Sequence, residues 1–305
     1  HIIKSKENNF INSIMKNTIL FGGSGFFGPI ILKKYPNIIS VGRTKPPKTL
    51  KNKHIQISDL KNLKKLDSIK FDRVIFLIGS SNHHIINKDI KIGLKYNFEP
   101  LIEIMEYLKN RKIKKFICFT TILLYKNEKP GKSVSEKDKT NPYKNNYVFS
   151  KHLMEEVVNF YRKSVPSIVV RLCNIYGYSK LKRPDLVPTI MQDIFKKKKI
   201  SVWNTKPVRD FIFAEDAADA VVKLVNSNYT GVVNVGTGKS QPVEVLTNII
   251  SEISKKKIIS KNEKVSGPYK FLTNINLLKQ ITKWETKYTL RQGLIKTYNI
   301  MKSYY

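Results

Sequence analysis

A doubly wound α/β protein, with a parallel sheet covered by helices on both faces, is the fold class that three observations predict. Short apolar runs alternate with longer segments of helical character along the 305 residues. The first apolar run, Thr18–Phe21, opens directly into a glycine-rich turn followed by a helix-compatible stretch. No apolar run approaches the roughly 20 residues needed to span a bilayer, so a water-facing fold is expected and a membrane partner is not.

Taken in order, the strand candidates are Thr18–Phe21, Ile38–Val41, His54–Ile57, Arg73–Ile78, Lys115–Thr120, Ile168–Leu172 and Val232–Val235. Between them stand helix candidates at Pro29–Lys34, Ile92–Arg111, Asn145–Ser164, Asp185–Lys198, Glu215–Ser227 and Val243–Ser254. In Ile92–Arg111 the residues Leu94, Phe98, Leu101, Ile102, Met105 and Leu108 form an apolar stripe at helical spacing, which is core. No internal repeat or low-complexity linker divides the chain.

Composition is that of an ordinary globular protein, 41% hydrophobic and 10% aromatic. The formal net charge of +33 raises the question of a nucleic-acid partner. Only eight of the 56 cations are arginine, and the lysines are spread along the whole chain. Nucleic-acid readers group arginine and aromatic residues on one face, so no dedicated nucleic-acid role is expected. The run Lys196–Lys199 suits a solvated helix end. Steering of an anionic small substrate is the better use of the charge. Cys118 and Cys173 lie in apolar runs and read as buried thiols. Residues 1–14, ahead of Met15, lack the apolar core of a secretory signal and are read as an extension, and a cytoplasmic location is expected.

The turn Gly22-Gly23-Ser24-Gly25-Phe26-Phe27-Gly28 sits between a strand and a helix that begins at Pro29. Glycines there let the backbone turn tightly and approach a pyrophosphate, which the helix N-terminus then attracts. In that context the pattern marks a Rossmann dinucleotide site. About twenty residues on, an NAD site carries a carboxylate for the ribose hydroxyls. Here Gly42-Arg43-Thr44-Lys45 stands instead, which welcomes a 2′-phosphate and favours NADP over NAD. Asp59 and Leu60, after the third strand, are placed for an adenine contact.

Tyr147 and Lys151 lie four residues apart, on one helix face. A phenol near pKa 10 is a poor base, and an adjacent ammonium favours its phenolate, so the pair can exchange a proton with a substrate hydroxyl or carbonyl. Thr120-Thr121 ends a strand at the sheet's carboxyl edge, within reach of the same oxygen.

With these elements in order the chain resembles the extended short-chain dehydrogenase/reductases, the nucleotide-sugar epimerase/dehydratase family, over about residues 17 to 295. The resemblance rests on the glycine loop, Thr121 with Tyr125, Tyr147-x-x-x-Lys151, Arg171–Gly177, Arg209–Asp216 and Asn234–Gly238. It implies Tyr147 as acid/base, with Lys151 binding the nicotinamide ribose and lowering the phenol's pKa. Thr121 would orient the sugar hydroxyl, Asn174 would help seat the nucleotide-sugar and Arg209 would contact its pyrophosphate, a task suited to a guanidinium fork. Asn97 matches a residue that shapes the active-site side of its helix. A homodimer through Ile92–Arg111 and Asn145–Ser164 is also implied.

Departures narrow the chemistry. Dehydratases place an Asp-Glu pair after the catalytic Thr, but Ile122-Leu123 follow here and cannot move a proton. A second pyrophosphate arginine is missing near residue 265, where Lys264, Ser266 and Lys270 stand. His83 and His84 replace the usual small apolar residues after the fourth strand and are read as loop residues, solvated unless they face substrate.

The expected organisation is a Rossmann domain over 17–176, after an extension over 1–16, with 208–238 returning to it and a smaller C-terminal substrate-binding lobe over 177–207 and 239–305. The expected function is that of an NAD(P)-dependent nucleotide-sugar epimerase, with an NADPH-dependent 4-ketoreductase close behind. A non-catalytic dinucleotide sensor or RNA-associated Rossmann protein is the alternative of another class, and intact Thr121, Tyr147 and Lys151 argue against it.

Overall fold

The computed structural model describes residues 15–127, 131–181, 183–265 and 267–305, so most of the N-terminal extension lies outside the described residues. Seven strands, β1 (Thr18–Phe21), β2 (Ile39–Gly42), β3 (His54–Gln56), β4 (Arg73–Phe76), β5 (Lys115–Thr121), β6 (Ser167–Leu172) and β7 (Gly231–Val235), form one parallel sheet. Their spatial order is β7-β6-β5-β4-β1-β2-β3, which is the doubly wound Rossmann arrangement. The order reverses at β1 and β4, whose register pairs Thr18 with Arg73 and Phe21 with Phe76. All four residues of β1 are buried, as a strand covered on both faces requires.

The chain divides into two compact units. The first comprises residues up to Thr121, then Pro142–Arg171 and Ala220–Val233. Its helices are α1 (Gly28–Lys34), α2 (His83–Lys88), α3 (Ile90–Gly93), α4 (Glu99–Leu108) and α5 (Asn146–Tyr161). Pro29 starts α1 where its missing N–H costs nothing, and Lys33 and Lys34 close it where cations suit the dipole. Asn145 caps α5 by accepting the Val148 N–H at 2.9 Å. The core joins Ile19, Phe21, Val74, Phe76, Phe116 and Cys118 of the sheet to Leu101, Met105 and Leu108 of α4 and Met154 and Val158 of α5.

Two expectations change here. The long helix over Ile92–Arg111 is three pieces: α3, a π-helical turn over Leu94–Phe98, and α4. Pro100 in the first turn of α4 lacks the N–H that an unbroken α-helix would use, and the wider turn absorbs the gap. His83 and His84 stand in the first turn of α2 rather than in a loop, because the Asn82 side chain accepts the Ile85 N–H and starts the helix there.

The second unit comprises Ile122–Asn141, Leu172–Asp219 and Asn234–Tyr305. It holds α6 (Leu186–Lys196), the first half of α7 (Ala214–Val225), α8 (Val243–Ser254), α9 (Asn276–Thr282) and α10 (Leu290–Lys302). The last two helices were not read from the sequence. α10 nevertheless carries a capping box, Thr289 with Gln292, that signals its start. These bounds differ from those drawn at 176, 208 and 238. Residues 122–141 go with the second unit because Ser133–Val134 pair with Leu272–Thr273, and the Tyr125 hydroxyl donates to Asn234 Oδ1 at 2.7 Å. Asn174–Tyr176 leave the first unit by pairing in parallel with Phe211–Phe213. Tyr176, Ile190, Met191, Phe213, Leu246 and Leu294 form this unit's own core.

Candidate active site

Gly22 closes β1 with φ +86°, a conformation costly for any residue with a side chain. The Gly25 N–H returns to the Gly22 carbonyl at 3.1 Å and tightens the turn. A Cβ on Gly28 would stand 2.6 Å from Gly23 Cα, so α1 can start this close to the loop only because no side chain intervenes. Such a cradle of bare backbone ahead of a helix fits a dinucleotide pyrophosphate. Phe26 is half-buried in the loop. Phe27 is buried and meets Phe119 of β5 edge-on at 5.9 Å, so its ring plugs the core.

Arg43 and Lys45 are exposed just beyond the carboxyl end of β2. Burial, and then the Lys45 ammonium, hold the His54 imidazole below its ordinary value, a sign of the cationic field along this edge. Asp59 is exposed and spends one carboxylate oxygen on the Lys61 N–H at 2.9 Å, while Leu60 packs against the core of the first unit.

Thr121 ends β5 and is buried; Tyr147 lies in the first turn of α5, 8% exposed; Lys151 follows one turn later, 7% exposed. All three belong to the first unit, where α5 packs on β5. Lys151 Nζ approaches Met154 Sδ at 3.6 Å and sits near the Cys118 thiol. Burial drives its pKa down to about 8, while the same burial pushes the Cys118 thiol up to about 12. The ammonium also lies 3.6 Å from where a Cβ on Gly79 would stand, at the carboxyl edge just past β4.

The π-helical turn puts Asn97 into this cluster, fully buried. Its Oδ1 accepts the Ser80 N–H at 2.6 Å and its Nδ2 donates to Ser150 Oγ at 3.1 Å. Ser150 Oγ in turn donates to the Tyr147 carbonyl at 2.8 Å. One turn away, Asn87 of α2 accepts the Tyr147 N–H on its side chain at 2.9 Å, and its carbonyl accepts the Asn146 amide at 3.1 Å. Beneath them Glu155 accepts Thr120 Oγ1 at 2.7 Å and a bidentate Arg171 fork at 2.9 and 2.6 Å. Asn87, Ser150, Glu155 and Arg171 were missed as supports of the site. Their roles depend on contacts 16 to 60 residues apart, and only the Arg171 motif carried a signal.

Asn174 and Arg209 belong to the second unit and meet through Asp210. The Asp210 carbonyl accepts both the Asn174 N–H and its side-chain amide, at 3.1 and 3.0 Å. Its buried carboxylate takes the Thr237 N–H, the Thr237 hydroxyl at 2.6 Å and the Gly238 N–H at 2.9 Å. Arg209 Nη1 donates to the Val208 and Tyr269 carbonyls at 2.8 and 3.3 Å. Lys264 and Lys270 are exposed, and Ser266 lies outside the described residues.

The profile of the NAD dependent epimerase/dehydratase family matches residues 18–236. The chain belongs to that family. Its members are NAD-dependent enzymes of nucleotide-sugar metabolism. A GDP-6-deoxy-D-talose 4-dehydrogenase of Aggregatibacter actinomycetemcomitans is 34% identical over 142 residues, 45% of this chain and 47% of the relative. This chain thus matches about half the length of that relative. Among solved structures, a UDP-N-acetylglucosamine 4-epimerase of Methanobrevibacter ruminantium superposes with a TM-score of 0.83 at 20% identity, over 95% of this chain and 99% of the other. A UDP-glucuronic acid 4-epimerase of Bacillus cereus, solved with UDP-glucuronic acid and NAD, gives 0.81 at 20% identity, over 94% and 99%. Both likenesses show the fold. No helix among the described residues is long and apolar enough to cross a membrane.

Proposed function

We propose that this family member is a nucleotide-sugar epimerase that works by hydride transfer at a sugar carbinol, with Tyr147 as its acid/base. The observation that carries it is the buried pair of Tyr147 and Lys151 on one face of α5, packed against the strand that ends in Thr121. A nicotinamide dinucleotide, when bound, supplies reversible hydride acceptance and return. Gly22, Gly25 and Gly28 would hold its pyrophosphate, Phe26 and Phe27 shape that loop, and Asp59 and Leu60 lie at the adenine side. Lys151 would bind the nicotinamide ribose and keep the phenolate accessible. Thr121 would hold the sugar oxygen from which Tyr147 takes its proton, and Asn174 and Arg209 would bind the nucleotide and its phosphates. Ile122 and Leu123, which carry no proton, argue against dehydration.

A second reading, an NADPH-dependent 4-ketoreductase, is favoured by Arg43 and Lys45 in place of a ribose-binding carboxylate and by the dehydrogenase at 34% identity. An epimerase recycles its cofactor, whereas a reductase consumes it. A homodimer through α4 and α5 is part of the same proposal, supported by Phe160, which is 80% exposed near the end of α5.

The test is a panel of nucleotide-sugars with either cofactor, read by product mass and stereochemistry. Tyr147→Phe should lower turnover by at least about 10²-fold, as loss of a positioned acid/base does, with dinucleotide affinity unchanged. Retained turnover would show that the base is another group.

A further inference from the structure

We propose that His83 and His84 relay the reaction proton between the Tyr147 phenol and solvent, a step that rests on Tyr147 being the acid/base and on the reductase reading of its chemistry. Tyr147 is 8% exposed as a residue, so most of its side chain is closed off from water. The His83 ring lies against it, with centroids 6.3 Å apart and planes at 63°. The His84 ring lies tilted against His83, with centroids 4.1 Å apart and planes at 38°, and His84 is exposed. The three rings form a series from buried phenol through half-buried imidazole to solvent-facing imidazole.

The arrangement is held at both ends. Asn97 fixes the approach to α2 through the Ser80 N–H, and the same Asn97 is tied through Ser150 to the Tyr147 carbonyl. Asn87, at i+4 from His83, binds the Tyr147 N–H and the Asn146 side chain. α2 is therefore latched to the first turn of α5, and His83 cannot drift from Tyr147 without breaking buried or half-buried hydrogen bonds. Gly79 permits the close approach: with φ +150°, a Cβ there would stand 2.9 Å from Asn97 Oδ1.

Imidazole is the side chain whose ordinary pKa lets it both accept and donate near neutrality. When a sugar hydroxyl is oxidised, the Tyr147 phenolate takes the hydroxyl proton and becomes phenol, and the hydride leaves to an oxidised nicotinamide dinucleotide. To act again, Tyr147 must lose that proton: its O–H bond breaks, a N–H bond forms on neutral His83, and the imidazolium passes the proton to His84 and water. Ketone reduction runs the same transfers in reverse. The elements packed against α2 carry Lys91 on α3, with Asp89 at its N-cap, and Lys151 and His152 on α5. α2 itself adds Lys88. A net oxidation or reduction exchanges one proton with solvent per turnover, whereas an epimerisation returns it to the same substrate. The relay therefore serves the reductase reading, in which the proton must be exchanged with solvent at every turnover.

The chain has five histidines, few enough to resolve by nitrogen-15 imidazole NMR with His83→Gln and His84→Gln for assignment. In Tyr147→Phe the His83 titration should shift while those of His54 and His152 stay in place. A His83 titration indifferent to Tyr147→Phe would overturn the relay, and this arm needs no substrate. In the kinetic arm, the probe is GDP-6-deoxy-D-talose with NADP⁺. His83→Gln should lower kcat for oxidation about 10²-fold, the low end for a positioned proton-transfer group, with KM little changed and partial rescue by added imidazole. Full activity of His83→Gln with an unchanged pH profile, beside an inactive Tyr147→Phe, would sink the relay and leave the acid/base intact. An active Tyr147→Phe would instead remove the acid/base itself.

Discussion

Lys151 sits among a methionine sulfur, a cysteine thiol and the backbone of the β4 edge, and the cost of desolvating its ammonium brings its pKa from 10.5 to about 8. The proposed chemistry needs that ammonium charged, because only the cation favours the phenolate of Tyr147. Below about pH 8 the charge is present, and it is lost as pH rises. The expected outcome is that kcat/KM of the free enzyme falls above about pH 8, where an ordinary lysine would hold its charge beyond pH 10. A pH profile flat to pH 10 would show that the charge is not used. The sign for stability is opposite. The folded state gives up the proton near 8 and the unfolded chain only near 10.5, so this group makes stability rise with pH across that window. Arg43 belongs to the same scale. Arg43→Ala should weaken NADPH about tenfold or more, the worth of one charge-assisted phosphate contact, and leave NADH unchanged. Fluorescence titration with both dinucleotides reads the difference, and equal losses would refute a 2′-phosphate contact.

At the level of elements, the π-helical turn between α3 and α4 does what an unbroken helix would not. It inserts Asn97 between the β4 edge and α5, where one side chain satisfies both the Ser80 N–H and the Ser150 hydroxyl. π-Helical turns recur at functional sites for this reason, since the bulge points a polar group inward at a local cost in hydrogen bonding. Asn97→Ala should destabilise the protein by about 1–3 kcal/mol, the penalty of orphaned buried polar groups. It should also reduce turnover, because Tyr147 is positioned through Ser150. Chemical denaturation and kcat measured on the same variant check both. The apolar stripe of this segment was legible in the sequence, but the three-part break was not. Periodicity averages over a turn, and only Pro100 hinted at the interruption. The Glu155–Arg171–Thr120 cluster ties α5 to β5 and β6 in the same way.

Over the whole molecule, a net charge of +33 from 56 cations and 23 anions imposes repulsion that no single pair offsets. Many of the ion pairs found are exposed pairs, such as Lys109 with Glu106 and Lys261 with Glu263, which contribute little. Salt shortens the reach of the repulsion to about 8 Å at 0.15 M and about 3 Å at 1 M. The midpoint of thermal unfolding should therefore rise between 0.02 and about 0.5 M sodium chloride, as repulsion beyond the Debye length is screened. A midpoint that falls with salt would mean that specific ion pairs outweigh the repulsion.

What the sequence determined by itself is the sheet and the candidate site residues at its strand ends. The strands Thr18–Phe21 and Lys115–Thr120, the glycine turn, and the spacing of Tyr147 and Lys151 rest on local rules: apolar runs for buried parallel strands, missing side chains for a tight loop, and helical spacing for a shared face. Tertiary structure decided what those residues feel. The pKa of Lys151, the latch of Asn87 on Tyr147, the Asp210 anchor between Asn174 and Thr237, and the nearness of His83 to the phenol all depend on contacts between residues far apart in the chain. Desolvation and buried hydrogen bonds are properties of packing, and no local pattern encodes them.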